Sequence, residues 1–340
     1  MFPLLGTKAK AQLKRQFDFW ASLVTVLGVV VSASLYIIDR PTRKRDAVYT
    51  AWQVLASMEG KRGGGGRRSA IAQLRAYKED LSGLNIDSAF LEGLNLSRST
   101  LSDVTFSNAH LANAAFDGAH VSSAKCQNAQ LQGARFTRSK LHTVDFSGAV
   151  ITDADFQRAY MSRCIGGPPT TFNGSTFANA TISCCQFSGA NFDNCLFPDS
   201  QLVQVGLRGS QMRRSRIMRS VWRQVQGSSA DLSLSMGEGV SIGGQSDLSS
   251  SRWDCAQLQS AAFEKVNLSG AGFFGADLTG AKFVDSDLRG ADLSSATLVG
   301  VTIQKCTVEG LRLSGAKQKG LQMLNCIGQP VDLRVRDATE

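Results

Sequence analysis

The sequence contains little of what an enzyme active site requires. It has three histidines, His110, His120 and His142, and its eight cysteines never occur in the C-x-x-C spacing typical of zinc sites. The glycine run at 63–66 is not followed by the Lys-Ser/Thr pair of a phosphate-binding loop. No nucleophile–base pair or metal set can be assembled from the sequence, so we expect neither catalysis nor a bound cofactor or metal.

The apolar pattern also lacks the period of a helix or of a strand. From Leu81 to Met323 a large apolar residue recurs at every fifth position, whereas strands repeat near 2 and helices near 3.6. The residue two places earlier is Ala or Ser in 12 of the first 17 units. A fixed period of this kind indicates an internal repeat, which determines the fold before any local pattern does.

The phase of the repeat shifts twice. It slips by one residue across 162–171, which contains a Gly-Gly-Pro-Pro turn signal, and it blurs in a Ser/Gly-rich stretch at 223–247 before it resumes at Leu248. We therefore predict a repeat domain over 81–323 with breaks at these two places, followed by a C-terminal cap or tail over 324–340.

A period of five predicts a solenoid with five residues on each side and four sides in each 20-residue coil. The large residue and the small one before it point inward, because a narrow interior at crystal-like density has no room for two large residues per side. Stacking at about 4.8 Å gives roughly 12 coils. Residues 20 apart should then stack, as in the column Phe116, Phe136 and Phe156 and in the pair Phe263 and Phe283.

Several units resemble a known repeat family. ADLTG at 276–280 and ADLSS at 291–295 are similar to the A-(D/N)-L-x-x consensus of pentapeptide-repeat proteins. The resemblance implies an all-β, right-handed quadrilateral β-helix. Some members of that family mimic duplex DNA with an acidic rod and protect a topoisomerase, but fold alone does not imply that function.

Residues 1–80 differ from the rest of the chain in hydropathy and charge. Residues 20–38 form an uncharged run of 19 residues, close to the length that spans a bilayer, and Trp20 and Tyr36 stand near its ends. We predict a single transmembrane helix at 20–38, preceded by a basic segment at 1–19. A buried helix or a cleaved signal peptide are the alternatives.

The segment at 39–80 is predicted to join the membrane to the rod. It contains two helical patterns, at 46–58 and 69–78, around a Gly-rich linker, with Ser69 as the N-cap of the second helix. Because the open end of a solenoid must be covered, we assign these short helices to capping the first coil. Binding of a partner is the alternative.

Positive charge is concentrated beside the predicted span. Residues 1–80 contain 14 Lys/Arg and 6 Asp/Glu, whereas 81–340 contain 23 and 22. Four residues after the span are candidates to face anionic lipid headgroups: Arg40, Arg43, Lys44 and Arg45. Basic residues on the two flanks are almost balanced, with a small excess that favours a cytoplasmic rod at the bacterial inner membrane. The scattered cysteines agree with a reducing compartment, although Cys306 and Cys326 should stack closely enough to be bridged.

Arginine is concentrated in a second place, on the rod. Six arginines fall within less than one coil at outward or corner positions, and we call them the Arg belt: Arg208, Arg213, Arg214, Arg216, Arg219 and Arg223. Asp193 should lie one coil below Arg213, and Asp199 below Arg219. The belt is either a solvated surface or a docking site for an acidic protein, lipid headgroups or nucleic acid. No aromatic side chains accompany it outside, so we expect no nucleic acid partner.

These observations favour a non-enzymatic scaffold that presents a rigid rod to one or more protein partners at the membrane. An accessory subunit of a larger membrane complex is the first alternative, with Ser32, Ala33 and Ser34 as a patch for close helix packing. A DNA-mimicking, topoisomerase-binding protein is the second alternative. It agrees poorly with a rod whose net charge is +1.

Overall fold

The chain forms a long helix, a short second helix and a parallel β-solenoid. The computed structural model describes residues 7–59, 61 and 63–331, except for the side chains of 7–16, 33 and 35–41. Helix α1 spans Thr7–Ser57 and helix α2 spans Arg67–Ala76. The predicted tail at 324–340 is therefore described as far as Val331.

Within this described part of the chain, twelve three-residue strands stack in sequence order into one parallel sheet. They are β1 (Thr100–Ser102), β2 (His120–Ser122), β3 (Lys140–His142), β4 (Tyr160–Ser162), β5 (Thr181–Ser183), β6 (Gln201–Val203), β7 (Val221–Arg223), β8 (Ser241–Gly243), β9 (Ala262–Glu264), β10 (Lys282–Val284), β11 (Thr302–Gln304) and β12 (Gln322–Leu324). Each pairs in register with the next, so that Leu101 lies beside Val121. The solenoid has about eleven coils between β1 and β12, close to the predicted number.

The four sides of a coil differ in their backbone pairing. One side, which we call the strand side, contains β1–β12. The second, third and fourth sides follow in chain order, and each is joined to the next coil by a single parallel bridge. Examples are Thr105↔Lys125, His110↔Gln130 and Ala115↔Arg135. The sequence predicted four sides of five residues and did not distinguish them.

The interior consists of one large and one small side chain from each side, as the repeat predicted. The rings of Phe116, Phe136 and Phe156 stack with centroids 4.7 Å apart and planes within 6° of parallel. Phe263 and Phe283 stack in the same way at 4.8 Å. The centroid separation equals the spacing of β-strands, so the backbone pairing and the ring stacking share one repeat distance.

Two coils contain one extra residue. Tyr160 pairs with Thr181 and Ser241 pairs with Ala262, one position further along the chain than the regular repeat would place the partner. In the first coil, the extra residue falls among residues 166–170. In the second, it falls among 244–246, because Arg223 still pairs with Gly243 at the regular spacing whereas Gln226 bridges to Asp247, one position late.

The stretch at 223–247 is regular solenoid up to β8, contrary to the irregularity expected from its composition. Gly227 and Gly237 occupy inward positions where other coils have Leu or Phe. A Cβ at Gly237 would lie 2.8 Å from Leu258 Cδ2 and 3.2 Å from Ile217 Cγ1. The neighbouring coils thus already fill this space. A larger inward side chain at Gly237 would therefore clash with both neighbouring coils.

The large, fully buried Trp222 explains why the small inward residue two positions before it, Ser220, is a serine. Its indole Nε1–H donates to Ser220 Oγ at 3.0 Å, and that hydroxyl donates to the Ile217 carbonyl at 2.7 Å. Trp253 donates to Ser251 Oγ at 2.8 Å in the same arrangement. Each buried indole N–H therefore has an acceptor, as buried polar groups require.

The N-terminal end of the solenoid is covered by α2 and the last turns of α1. Ala51 and Leu55 of α1 and Ile71 and Leu74 of α2 are buried in one cluster with the first coil. Arg67 is also fully buried, and its guanidinium donates to backbone carbonyls that include those of Lys61 at 2.9 Å and Gly63 at 2.6 Å. This packing is what a capping role requires.

The helices differ from the sequence prediction in three details. The two segments predicted as separate helices, 20–38 and 46–58, lie in one continuous α1. Helix α2 begins at Arg67, with Gly66 at the N-cap, and no side chain caps it, so Ser69 is not the N-cap. Among the described residues, no helix has both the length and the apolar character to cross a membrane. This finding does not support a transmembrane helix at 20–38, a range that includes side chains outside the described set.

We predict that Ser220→Ala destabilises the protein by about 1–3 kcal/mol, because it leaves the buried Trp222 indole N–H without an acceptor. Ser235 provides a matched control. It has the same small inward position, and its buried hydroxyl has no hydrogen-bond partner. Ser235→Ala should therefore be neutral or stabilising. Thermal unfolding followed by circular dichroism measures both, and equal midpoints for the two variants would contradict the role of the Ser220 hydroxyl.

Candidate interaction surface

All six residues of the Arg belt are exposed, but the coil distributes them around the rod. Arg216 lies on the fourth side, in the bridge between Leu196 and Met236. Arg213 and Arg214 occupy the corner that precedes it, and Arg219 the corner that follows. Arg208 and Arg223 lie apart, at the end of the second side and on strand β7. Four arginines therefore surround the fourth side.

Two members of the belt are ion-paired with the coil below, as the 20-residue spacing predicted. Arg213 Nη2 lies 2.6 Å from Asp193 Oδ2, and Arg219 Nε lies 2.7 Å from Asp199 Oδ1. The hydrogen bonds from Arg219 hold the pKa of the Asp199 carboxyl below its usual range. Both arginines are exposed, so these pairs add little stability, but they reduce the positive charge at the two ends of the fourth side.

The other four arginines have no ion pair within 4 Å among residues 7–59, 61 and 63–331. They are Arg208, Arg214, Arg216 and Arg223. Arg214 and Arg216 lie two positions apart between the neutralised Arg213 and Arg219. The uncompensated charge of the fourth side is therefore concentrated on Arg214 and Arg216.

Apolar side chains surround these two arginines. Leu196 and Met236 flank Arg216 in the bridges of the fourth side and are half-buried. Leu234 lies one coil above Arg214 at the same corner and is 47% exposed. Its φ of 61° is in the left-handed region, which a leucine adopts uncommonly. A cleft of about 320 Å³ lies between Leu234, Arg213, Arg214 and residues 193–194.

Leu234 is the residue that the sequence analysis missed. An apolar residue at an outward corner position was the available signal. It was hidden because Gly237 stands at the inward centre after this corner, so the five-residue pattern is interrupted there, although Leu232 continues it before the corner.

The basic residues after the predicted span occupy several environments. Lys44 Nζ lies 2.8 Å from Glu79 Oε1 and 5.9 Å from the centre of the Tyr77 ring, so it joins α1 to the segment after α2. Arg45 is exposed, and Arg43 has an interaction partner. The side chain of Arg40 lies outside the described residues. The lipid-facing role of this group stays a prediction.

In the described part of the chain, no group of three or more His, Cys, Asp or Glu side chains could hold a metal ion. Cys185 and Cys195 fill small inward positions and are fully buried, as predicted. Cys306 and Cys326 are free thiols, and burial raises the pKa of the Cys306 thiol to about 11. His142 Nδ1 contacts Ser162 Oγ at 2.7 Å on the strand side.

The comparison with protein families agrees with this geometry. The model of the pentapeptide-repeat family matches residues 99–138, 129–165, 245–280 and 271–310, with eight copies of the repeat. The solenoid therefore resembles the pentapeptide-repeat family over 99–165 and 245–310. Much of the Arg belt's surroundings, at 166–244, lies between the matched segments.

Several solved structures are similar to this chain. HetL, a pentapeptide repeat protein involved in heterocyst differentiation regulation in Nostoc sp. strain PCC 7120, is 20% identical, with 75% of this chain and 93% of that chain covered and a TM-score of 0.26. QnrB1, a plasmid-mediated fluoroquinolone resistance protein, is 14% identical, with 55% and 94% covered and a TM-score of 0.34. Rfr23 from Cyanothece 51142 is 22% identical, with 28% and 64% covered and a TM-score of 0.27. A search of curated proteins gave no match.

We predict that the Asp199 carboxyl titrates below an ordinary aspartate and that Arg219→Gln returns its pKa towards the usual range. The sign follows from the hydrogen bonds, which favour the ionised form. The pair is therefore present above the ordinary pKa of aspartate and is lost as the pH falls through the lowered pKa of Asp199. NMR titration of the Asp199 side-chain carbon measures this. Arg208→Gln is the control and should leave the Asp199 titration unchanged; an unshifted Asp199 in the unmodified protein would contradict the pairing.

Proposed function

We propose that this protein is a non-enzymatic scaffold, anchored at the bacterial inner membrane, whose rod docks an acidic protein on its fourth side. The observation that carries the proposal is the pair of unpaired arginines, Arg214 and Arg216, set among Leu196, Leu234 and Met236. Arginine combined with exposed apolar side chains is typical of protein interfaces, and arginine is enriched at their energetic centres.

The solenoid supports this function through rigidity. Each side chain of the fourth side projects from a backbone that is bridged to the coils above and below. A surface that is already ordered loses little conformational entropy on binding, so a modest contact area gives useful affinity. The charge on Arg214 and Arg216 favours a partner with carboxylates and would speed its association at low salt.

The exposed surface of α1 supports the membrane anchor. Between Phe17 and Val31 ten large apolar side chains are exposed, with Phe17, Val24 and Val29 each more than 60% accessible. Exposed apolar patches of this kind mark contacts with a membrane or with another protein. The exposed Arg45 lies further along the same helix, where it would meet lipid headgroups, whereas Lys44 is paired with Glu79.

The same surface of α1 favours a second candidate, an accessory subunit of a larger membrane complex. In that case α1 would pack against helices of partner subunits, with the small residues Ser32 and Ser34 allowing close approach. In both candidates the rod has the same role, since its fourth side docks the acidic partner outside the bilayer.

We predict that the double variant R214N/R216Q binds an acidic peptide about tenfold more weakly than the unmodified protein, because two charge-assisted contacts are lost. Asparagine suits position 214, since Asn194 occupies the same corner one coil below with a φ of 59°. The probe is a short fluorescent peptide that alternates Glu with Leu, and its anisotropy is measured with the full chain in mild detergent.

The matched control for this experiment is K265N/K282Q. This variant also removes two cations, Lys265 at a corner of the strand side and Lys282 on strand β10 of that side. It should change the affinity by less than about twofold. If both double variants weaken binding equally, the peptide senses net charge rather than the fourth side, and the proposed docking surface is wrong.

We further expect the solubilised full chain to leave DNA gyrase supercoiling unchanged at concentrations that saturate the acidic peptide. Mimicry of duplex DNA requires a surface with dense negative charge, whereas the rod has a net charge of +1 and exposes unpaired arginines. A supercoiling assay with and without the chain tests this. Inhibition, or protection of gyrase from a quinolone, would instead favour the topoisomerase-binding alternative.

A further inference from the structure

Charge is distributed unevenly around the first coils of the rod. Residues 98–165 contain seven Lys/Arg and five Asp. The strand side and its two corners hold two of the acids, Asp103 and Asp117, and five of the basic residues. We call these five the basic strip: Arg98, Arg138, Lys140, Arg158 and Arg163. The other three sides of the same coils hold the remaining two basic and three acidic residues and therefore have a net negative charge.

The solenoid aligns the members of the basic strip. Arg98, Arg138 and Arg158 occupy the corner between the fourth and strand sides, each at a φ between 57° and 59°. They project one or two coil spacings apart, at about 4.8 Å per coil. Lys140 lies beside them on β3, in register with His120 on β2 and Tyr160 on β4.

The positive charge of the basic strip is not neutralised by the protein. None of its five members has an ion pair within 4 Å in the part of the chain that the structure describes. Asp117, at the same corner as Arg98, instead lies 2.8 Å from Arg135 on the fourth side. The basic strip therefore carries mainly positive charge without ion pairs, whereas the neighbouring fourth side contributes Arg135 to an ion pair with Asp117.

The basic strip begins at the N-terminal cap, at the place where α1 meets the rod. A cleft of about 510 Å³ is lined by Arg75, Lys78 and Asp80 of the cap segment and by Arg98 of the strip. Glu79 lines the same cleft and pairs with Lys44 of α1. The corner that carries Arg98 therefore lies directly beside the cap, where α1 meets the rod.

We propose that the basic strip lies against anionic lipid headgroups, so that the strand side of the rod faces the membrane. The proposal rests on the proposed anchoring of α1, because the anchor holds this corner near the bilayer. The strip suits a lipid surface because it is flat, unpaired in charge and next to α1, and because basic segments beside a membrane attract anionic lipids. A single-stranded nucleic acid would need stacking aromatics, and Tyr160 is the one exposed Phe, Tyr or Trp on the strand side of residues 98–165.

Lysine footprinting of the full chain in lipid nanodiscs tests the proposal. The discs contain either phosphatidylcholine alone or phosphatidylcholine and phosphatidylglycerol in a ratio of about two to one, and acylation is followed by mass spectrometry. Lys140 should be acylated at least fivefold more slowly in the anionic discs than in the neutral ones. Lys125 is the internal control, since it is exposed on the second side of a neighbouring coil and should change by less than twofold.

The variant R138N/R158N should restore acylation of Lys140 in anionic discs, because asparagine fits these left-handed corners and two charges are removed. The control R312Q/K317Q removes two charges from the far end of the rod and should keep Lys140 protected.

Equal acylation of Lys140 and Lys125 in anionic discs overturns the proposal, even if the chain associates with both kinds of disc and the anchor stands. If the chain does not associate with neutral discs but anionic discs still protect Lys140, the anchoring by α1 is refuted and the lipid contact of the basic strip is retained. Protection of Lys140 by duplex DNA but not by anionic discs also overturns the lipid assignment.

Discussion

The narrow interior of the coil is the constraint on which the rest of the structure depends. Each side admits one large and one small side chain, and consecutive coils must stack at the spacing of paired strands. Phe116, Phe136 and Phe156 satisfy both conditions at once, with rings 4.7 Å apart. At Gly237, Leu258 and Ile217 of the neighbouring coils already occupy the space that a larger side chain would need. Because the interior is so fully specified, the outward positions are left to vary with function.

A great part of the fold follows from the sequence because the interior repeats every five positions and the coil every 20. That spacing alone predicts the phenylalanine columns and the pairing of Arg213 with Asp193. It does not predict the regular coils at 223–247, because glycine at an inward position shows no apolar signal. It also does not predict a continuous α1, since two helical patterns with different apolar surfaces were interpreted as two helices.

The candidate interaction surfaces, like the fold, can be predicted only in part from the sequence. The Arg belt was visible because its members are close in the chain. The basic strip was not, since Arg98, Arg138 and Arg158 are far apart in sequence and become neighbours only when the coil brings positions 20 apart together. The contribution of Leu234 depends on its exposure and backbone conformation at the corner, which composition does not reveal.

The two surfaces use adjacent sides of the rod, and the arrangement of charge keeps them distinct. If the strand side faces lipid, the fourth side stands beside the bilayer and stays open to a protein. Arg219, at the corner between them, is paired with Asp199, and Arg213, at the opposite corner, is paired with Asp193. The ends of the fourth side are thereby neutralised, and its free charge is confined to Arg214 and Arg216. In the proposed function an acidic partner would be drawn to that centre, where Leu196 and Met236 supply apolar contact, whereas a lipid surface would be drawn to the strip, where the five cations have no ion pair. The two partners would then be distinguished by the ion pairs that neutralise Arg213 and Arg219 as much as by the cations that remain unpaired.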